Sequence, residues 1–228
     1  SIATAGVKVA LRNLVLVPLP GGGGTSGVVM TAGNRLALEG CLLAGLPNGI
    51  TVSGDMRLRV SDTTVRGGSY GIIVSDGAEA TVDRSTISDM AQYGVYVTAS
   101  AASTTAAASI EGTTVERTYA GFFAHASADS AAAKISAKDS HITNNYFGAA
   151  AQSSSGSSAV VNLLGNIITR NSNGVATYFA GTRAWLSGNL VTDNNSIGLY
   201  NSGALIESAG NNAVRNNGIN TSGTITLA

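Results

Sequence analysis

The chain is short of charge. Asp, Glu, Lys and Arg make up 11% of its 228 residues, 13 of each sign, for a formal net charge of zero. A nucleic-acid binder draws much of its affinity from Lys and Arg meeting phosphates, so no nucleic-acid partner is expected. No basic run suggests a helix lying on a membrane surface. Cysteine is nearly absent. The single Cys41 rules out an internal disulfide and with it the disulfide-rich scaffolds, while leaving the compartment open. No apolar stretch approaches the roughly 18 residues of a membrane-spanning helix, so no membrane span is expected. The opening Ser1-Ile2-Ala3-Thr4-Ala5-Gly6 lacks the basic and apolar regions of an export signal, which is therefore either absent or removed. Proline occurs only three times, yet 44% of residues are hydrophobic and mean hydropathy is +0.21. That is too apolar for a disordered chain. The 29 glycines thus need a structural use.

They have one in a repeat. Glycine followed by apolar residues recurs at Gly27, Gly49, Gly71, Gly94, Gly121, Gly148, Gly174, Gly198 and Gly218, at spacings of 22, 22, 23, 27, 27, 26, 24 and 20. Between these tetrads runs a second segment, such as Leu58-Arg-Val-Ser-Asp-Thr-Thr-Val65 and Ala80-Thr-Val-Asp-Arg-Ser-Thr-Ile87. Both segments alternate apolar and polar residues with period two, as a strand with one buried face does. No stretch keeps a helical period. The Ala-rich run from Ala99 to Ala108 reads as a loop insertion that lengthens the middle coils. A leucine-rich repeat has a similar period but needs a regular leucine-and-asparagine consensus, which is missing. The pattern predicts an all-β, single-stranded right-handed parallel β-helix of about nine coils, one domain over residues 1–228, each coil sharing its interior with its neighbours.

Aligned coils give columns. One inward column is Leu11, Leu38, Val60, Val82, Ile110, Ala137, Leu163, Leu186; another is Leu16, Leu43, Val65, Ile87, Val115, Ile142, Ile168, Val191. A bend column, Asn13, Gly40, Asp62, Arg84, Gly112, Asp139, Gly165, Gly188, holds residues that tolerate a left-handed corner, Arg84 excepted. The next column runs Leu14, Cys41, Thr63, Ser85, Thr113, Ser140, Asn166, Asn189, Asn212 and ends as an asparagine ladder, with a second ladder at Asn145, Asn171, Asn194 and Asn217. Cys41 reads here as a small buried residue, not a nucleophile.

The units Gly165-Asn-Ile-Ile-Thr-Arg-Asn-Ser-Asn-Gly174, Gly188-Asn-Leu-Val-Thr-Asp-Asn-Asn-Ser-Ile-Gly198 and Gly210-Asn-Asn-Ala-Val-Arg-Asn-Asn-Gly218 resemble the repeats of the pectate-lyase-like superfamily. Nearly the whole chain is similar to uncharacterised exported bacterial β-helix repeat proteins, which commonly close on a Gly-Thr-Ile-Thr segment like residues 223–226. The resemblance implies the fold and an extracellular or periplasmic location. It does not select a function, because the superfamily holds lyases, hydrolases, epimerases, adhesins and non-catalytic scaffolds.

Enzymes of this fold set acids and bases on outward positions of adjacent coils. The outward columns after the glycine are Val29, Thr51, Ile73, Tyr96, Phe123, Ala150, Ala176, Tyr200, and then Thr31, Ser53, Ser75, Thr98, His125, Gln152, Tyr178, Ser202. They hold no carboxylate, lysine or arginine. A calcium-assisted lyase needs hard oxygen ligands and a base, and a glycosidase needs two carboxylates. The other outward column reads Arg12, Glu39, Ser61, Asp83, Glu111, Lys138, Leu164, Ser187. Its consecutive Asp83, Glu111 and Lys138 form the one candidate catalytic group, in which crowded carboxylates would raise each other's pKa beside a lysine base; the alternative is a surface charge ladder. His125 and His141 lie on different faces without partners at ligand spacing, His141 in a turn, and no metal site or cofactor is expected. The match to G-x-G-x-x-G at Gly22–Gly27 precedes a strand, not a helix, and carries no phosphate chemistry.

The remaining signal is aromatic. Tyr70, Tyr93, Tyr96, Tyr119, Phe123, Tyr146 and Phe147 gather around the glycine corner and the first strand of coils three to six. Such a row either stacks on sugar rings or docks a partner, or merely stiffens the corner. Trp185 stands alone. The leading expectation is a non-catalytic exported β-helix that binds a polysaccharide or a cell-surface partner through its lateral face. A lyase or epimerase acting on uronic-acid polymers through Asp83, Glu111 and Lys138 is the alternative. With no capping helix at either end, the chain is otherwise expected to be a fragment of a longer protein or to stack end to end.

Overall fold

The structure, a computed structural model, describes residues 1–154 and 156–228. Among the described residues there are strands and turns but no helix. The strands pair in parallel with the strands one coil away. One sheet has ten rungs, from Lys8–Arg12 to Ile225–Leu227, and ten rungs bound nine windings. Its strands carry half of the charged residues, more than those of the other sheet, and it is called the charged face.

The second sheet bends around two further faces. The broad face contains Ser26–Ala32, Asn48–Ser53, Phe147–Ser153, Asn173–Tyr178 and Ile197–Ser202. The narrow face contains short strands such as Leu42–Ala44, His141–Thr143 and Ile167–Thr169. In Thr64–Ser75, Thr86–Ala99 and Thr114–Ala126 a single strand runs through both. His141 therefore lies in a strand and not in a turn.

The inward columns are in register as aligned: Val60 pairs with Val82, Val82 with Ile110, and Ile87 with Val115. From Leu38 and Leu43 to Leu186 and Val191 they are buried. At the corner between the charged and narrow faces the backbone is left-handed at Asn13 (φ 53°), Asp62 (φ 50°) and Arg84 (φ 44°). Arg84 is admitted there because its guanidinium forks onto Asp62 of the preceding coil, with both N···O distances 3.0 Å. The corner from the narrow to the broad face repeats the device: Arg117 (φ 53°) forks onto Asp89 (φ 59°) at 2.6 and 3.0 Å.

Two expectations are corrected. The run Ala99–Ala108 is a loop only over residues 100–104: Ala99 ends one strand, and Ala106 and Ala108 point inward from Thr105–Glu111. Alternation of a small apolar residue with Ser, Thr or Ala is faint in sequence, but alanine methyls suffice where two faces meet closely. The longer middle coils come in part from wider charged-face strands, seven residues in Thr105–Glu111 against five in Glu79–Asp83. Gly218 is also not the counterpart of Gly198. The register Ile197 to Ile219 and Leu199 to Thr221 puts Asn220 over Gly198.

The other tetrad glycines lie within the broad strands, not at a corner, and the reason is proximity. A Cβ on Gly121 would sit 2.6 Å from the Gly148 carbonyl oxygen and 2.7 Å from Ile142 Cγ2. Polar ladders complete the interior. The backbone N–H of Thr63 donates to Ser85 Oγ at 3.2 Å, that of Thr113 to Ser140 Oγ at 3.2 Å, and that of Asn166 to Asn189 Oδ1 at 2.9 Å. Cys41 is buried and heads this column, donating its own N–H to Thr63 Oγ1 at 3.3 Å. Leu14 is in register with Cys41 on the first coil but exposed.

Candidate functional site

The broad face presents its aromatic residues outward because each lies at an odd step from an inward one: Tyr96 between Val95 and Val97, Phe123 between Phe122 and Ala124. Stacking of coils then turns sequence repeats into contiguous rings. Tyr70, Tyr93, Tyr96 and Phe123 form one cluster, with Tyr93 and Phe123 centroids 4.8 Å apart and Tyr96 and Phe123 at 5.7 Å and 13°. Tyr119 and Tyr146 stack nearly flat, 5.3 Å apart at 4°, with Phe147 edge-on to both. Tyr93 and Tyr119, 6.2 Å apart, join the groups. All seven aromatic candidates thus belong to one surface.

That surface continues further than the sequence suggested. Phe147 meets Tyr178 edge-on at 6.1 Å, and Tyr178 meets Tyr200 at 5.6 Å. Both tyrosines stood in the outward columns. What alignment alone did not reveal is the hollow between them. In the column Tyr96, Phe123, Ala150, Ala176, Tyr200, two consecutive alanines interrupt the rings. Above Ala150 lies a cleft of about 230 Å³, walled by Tyr93, Tyr119, Phe123, Phe147, Tyr178 and Phe179, with Gln152 as a polar group. Although outward, Ala150 is 2% exposed, because the surrounding rings cover it.

Phe179 is held at its rim in an unusual way. The residue after the broad strand is left-handed in several coils, as Gly54 (φ 86°), Asp76 (φ 48°) and Gly203 (φ 75°). Phe179 takes that slot at φ 69° and is 56% exposed. A bulky residue here is strained by about 1–2 kcal/mol, and the exposed ring recovers little of that through burial.

Burial raises Tyr93 to about 12, helped by the neighbouring Tyr96, Tyr70 and Tyr119, and raises Tyr178 to about 12, helped by Tyr200. Both remain neutral hydroxyls at any physiological pH. His125, stacked on Phe123 at 5.8 Å and 8°, has Nδ1 3.1 Å from the Tyr96 hydroxyl. Burial lowers its pKa below 6.5, so the ring is neutral at pH 7 and its Nδ1 can accept the Tyr96 proton. A histidine depressed in the folded state binds fewer protons than in the unfolded chain. Its stabilising contribution is therefore complete above the unfolded pKa, about 6.5, and declines as pH falls towards the folded value. The denaturation midpoint is expected to drop between pH 7 and 5, and His125→Gln to remove part of that drop; an identical pH profile in the variant would refute the assignment.

The alternative catalytic group lies on the charged face. Register places Asp83 beside Glu111 and Glu111 beside Lys138. Their side chains are occupied separately: Asp83 pairs with Arg84, while Lys138 Nζ lies 3.2 Å from both Glu111 and Asp139. Those two carboxylates, Glu111 foremost, raise the Lys138 pKa, the reverse of what a lysine base needs. Among the described residues no group of three or more His, Cys, Asp or Glu could hold a metal ion.

Nine parallel windings with a ring-lined lateral cleft define a β-solenoid. The chain belongs to the right-handed beta-helix family, whose model, the right handed beta helix region, matches residues 21–164. Among curated proteins nothing matches the chain. Among solved structures it is similar to the A-module of the mannuronan C-5 epimerase AlgE6 of Azotobacter vinelandii, with 14% identity and a TM-score of 0.47 over 86% of this chain. This chain spans 65% of that module's length.

Proposed function

We propose that the protein binds a neutral polysaccharide through the aromatic cleft of its broad face, without transforming it. The observation that carries this reading is the strained, exposed Phe179 at the rim of a ring-walled hollow. Strain kept at one position points to a use there, and sugar rings are flat enough to lie on aromatic faces. At about 230 Å³ the cleft is smaller than those that enclose a drug-sized ligand, which suits one sugar unit of a chain that runs on across the tyrosines. Its walls are uncharged, which favours a neutral unit over an acidic one. Tyrosine hydroxyls and Gln152 supply the few polar contacts that orient such a ligand. A surface glycan as ligand agrees with an extracellular or periplasmic location.

The test is calorimetry against neutral polysaccharides, comparing wild type with the double variant Tyr119→Ala, Phe179→Asn. Both residues are largely exposed, and asparagine tolerates the left-handed backbone, so folding is expected to persist. Each ring contributes about 1 kcal/mol, so the double variant is expected to bind roughly 30-fold more weakly. Equal affinity would remove the cleft from the account, and new reducing ends or an altered epimer ratio would show that the protein acts on its ligand.

A further inference from the structure

Of the three outward columns of the charged face, the two outer ones are built on opposite rules. In the first, Arg12 Nε lies 2.9 Å from Glu39 and Lys138 Nζ lies 3.2 Å from Glu111, so cations and carboxylates of adjacent coils meet. In the second, Lys8 is in register with Arg35 and Arg35 with Arg57, three cations on consecutive rungs, before Glu79 ends the run. Arg59, two residues beyond Arg57 on the same side, adds a fourth. Arg57 meets Glu79 at 3.5 Å. Among the described residues Lys8, Arg35 and Arg59 have no carboxylate within 4.0 Å. Rungs are about 4.8 Å apart, and like charges directly opposite each other destabilise a sheet. Apart from the exposed Arg57–Glu79 pair, the run from Lys8 to Arg57 offers the fold no compensating contact.

Two shallow grooves flank it, each of about 190 Å³. One is lined by Arg35, Arg57, Arg59 and Thr81 with Glu79 as its single carboxylate, the other by Arg12, Arg59 and Arg84 with Glu39 and Asp62. Arg59 sits at their junction. The cations follow the solenoid axis, so a partner must present negative groups in a line along that axis. No aromatic ring lines either groove, which removes the base-stacking platform on which single-stranded nucleic acid relies.

We propose that Lys8, Arg35, Arg57 and Arg59 form a binding strip for an acidic polysaccharide lying parallel to the solenoid axis, its carboxylate or sulfate groups received rung by rung. This strip is on a different face from the aromatic cleft and does not depend on it.

The experiment titrates the protein with polygalacturonate, dextran sulfate, uncharged dextran and oligo-dT, for wild type and for Arg35→Gln, Arg57→Gln, Arg59→Gln combined. Wild type is expected to bind an acidic glycan at low salt and to lose affinity as salt rises. Removing three cations is expected to weaken binding at least tenfold and to flatten the logarithmic salt slope by about two to three. The thermal midpoint of the unliganded triple variant is expected to hold or rise, since repulsion is relieved. Polygalacturonate and dextran sulfate separate carboxylate from sulfate recognition. The proposal is overturned by equal binding in the variant, by no binding to either acidic glycan, by oligo-dT binding as tightly as the glycans, or by a lowered midpoint, which would make the cations structural. The variant Tyr119→Ala, Phe179→Asn is expected to keep its acidic-glycan affinity, so the two faces succeed or fail separately.

Discussion

Asn171→Ala is expected to destabilise the protein by about 4 kcal/mol, measured by urea denaturation. Asn171 is fully buried. Its Oδ1 accepts from the backbone N–H and the side-chain amide of Asn145, both at 3.0 Å, and its Nδ2 donates to the Ile142 carbonyl at 3.2 Å and to Asn194 Oδ1 at 3.0 Å. Alanine leaves the Asn145 N–H and the Ile142 carbonyl without these partners inside the solenoid, at about 1–3 kcal/mol each. Asparagine suits the position because one planar amide accepts from the coil before it while donating both to that coil and to the next. Asn217, at the more exposed end of the same ladder, provides the control: its alanine variant is expected to cost no more than about 1 kcal/mol. Coils share their interiors with neighbours, so damage at Asn171 is expected to uncouple the coils on either side and to broaden the transition. A cost at Asn171 no greater than at Asn217 would show that the ladder contributes little.

Gly94→Ala has the second large expected effect, about 3 kcal/mol. The added methyl would lie 2.4 Å from Val115 Cγ1 and 2.7 Å from the Gly121 carbonyl oxygen. The valine can be trimmed, but the carbonyl belongs to the next rung and cannot move without shifting the sheet. Val115→Ala is therefore expected to rescue Gly94→Ala only in part. Gly23→Ala, where the methyl would meet nothing within 4 Å, is expected to change stability by no more than about 0.5 kcal/mol. Comparable losses at Gly23 and Gly94 would mean that glycine serves chain flexibility here and not close approach.

Much of the aromatic surface was legible in the linear order, and for one reason. A parallel solenoid converts sequence period into spatial adjacency, so aligning Tyr96 with Phe123 already predicts that their rings meet. The part that stayed hidden depends on differences between neighbours. Ala150 is unremarkable as one residue; it becomes the floor of a cleft because Phe123 and Tyr178 rise on either side of it. Phe179 looks like an ordinary loop residue until its φ of 69° places it in a slot held elsewhere by Gly54 and Gly203. The aromatic count of coils three to six also stopped short of Tyr178 and Tyr200, because the break at Ala150 and Ala176 looked like an end and is a gap.

Charge tells the same story. Asp83, Glu111 and Lys138 stand on consecutive rungs as their spacing required, but side-chain reach gave Asp83 to Arg84 and Lys138 to two carboxylates. Arg84 broke the pattern of small corner residues in sequence, and its fork onto Asp62 supplies the reason.

The amino-acid order alone determined the winding, its nine turns, the inward columns and both asparagine ladders, because each depends on a repeating spacing that any coil imposes on the next. Tertiary structure alone decided which outward residues act together. Cleft depth, ring angles, ion partners and the strained corner at Phe179 depend on side-chain size and direction across three or more coils, and a period carries no information about either.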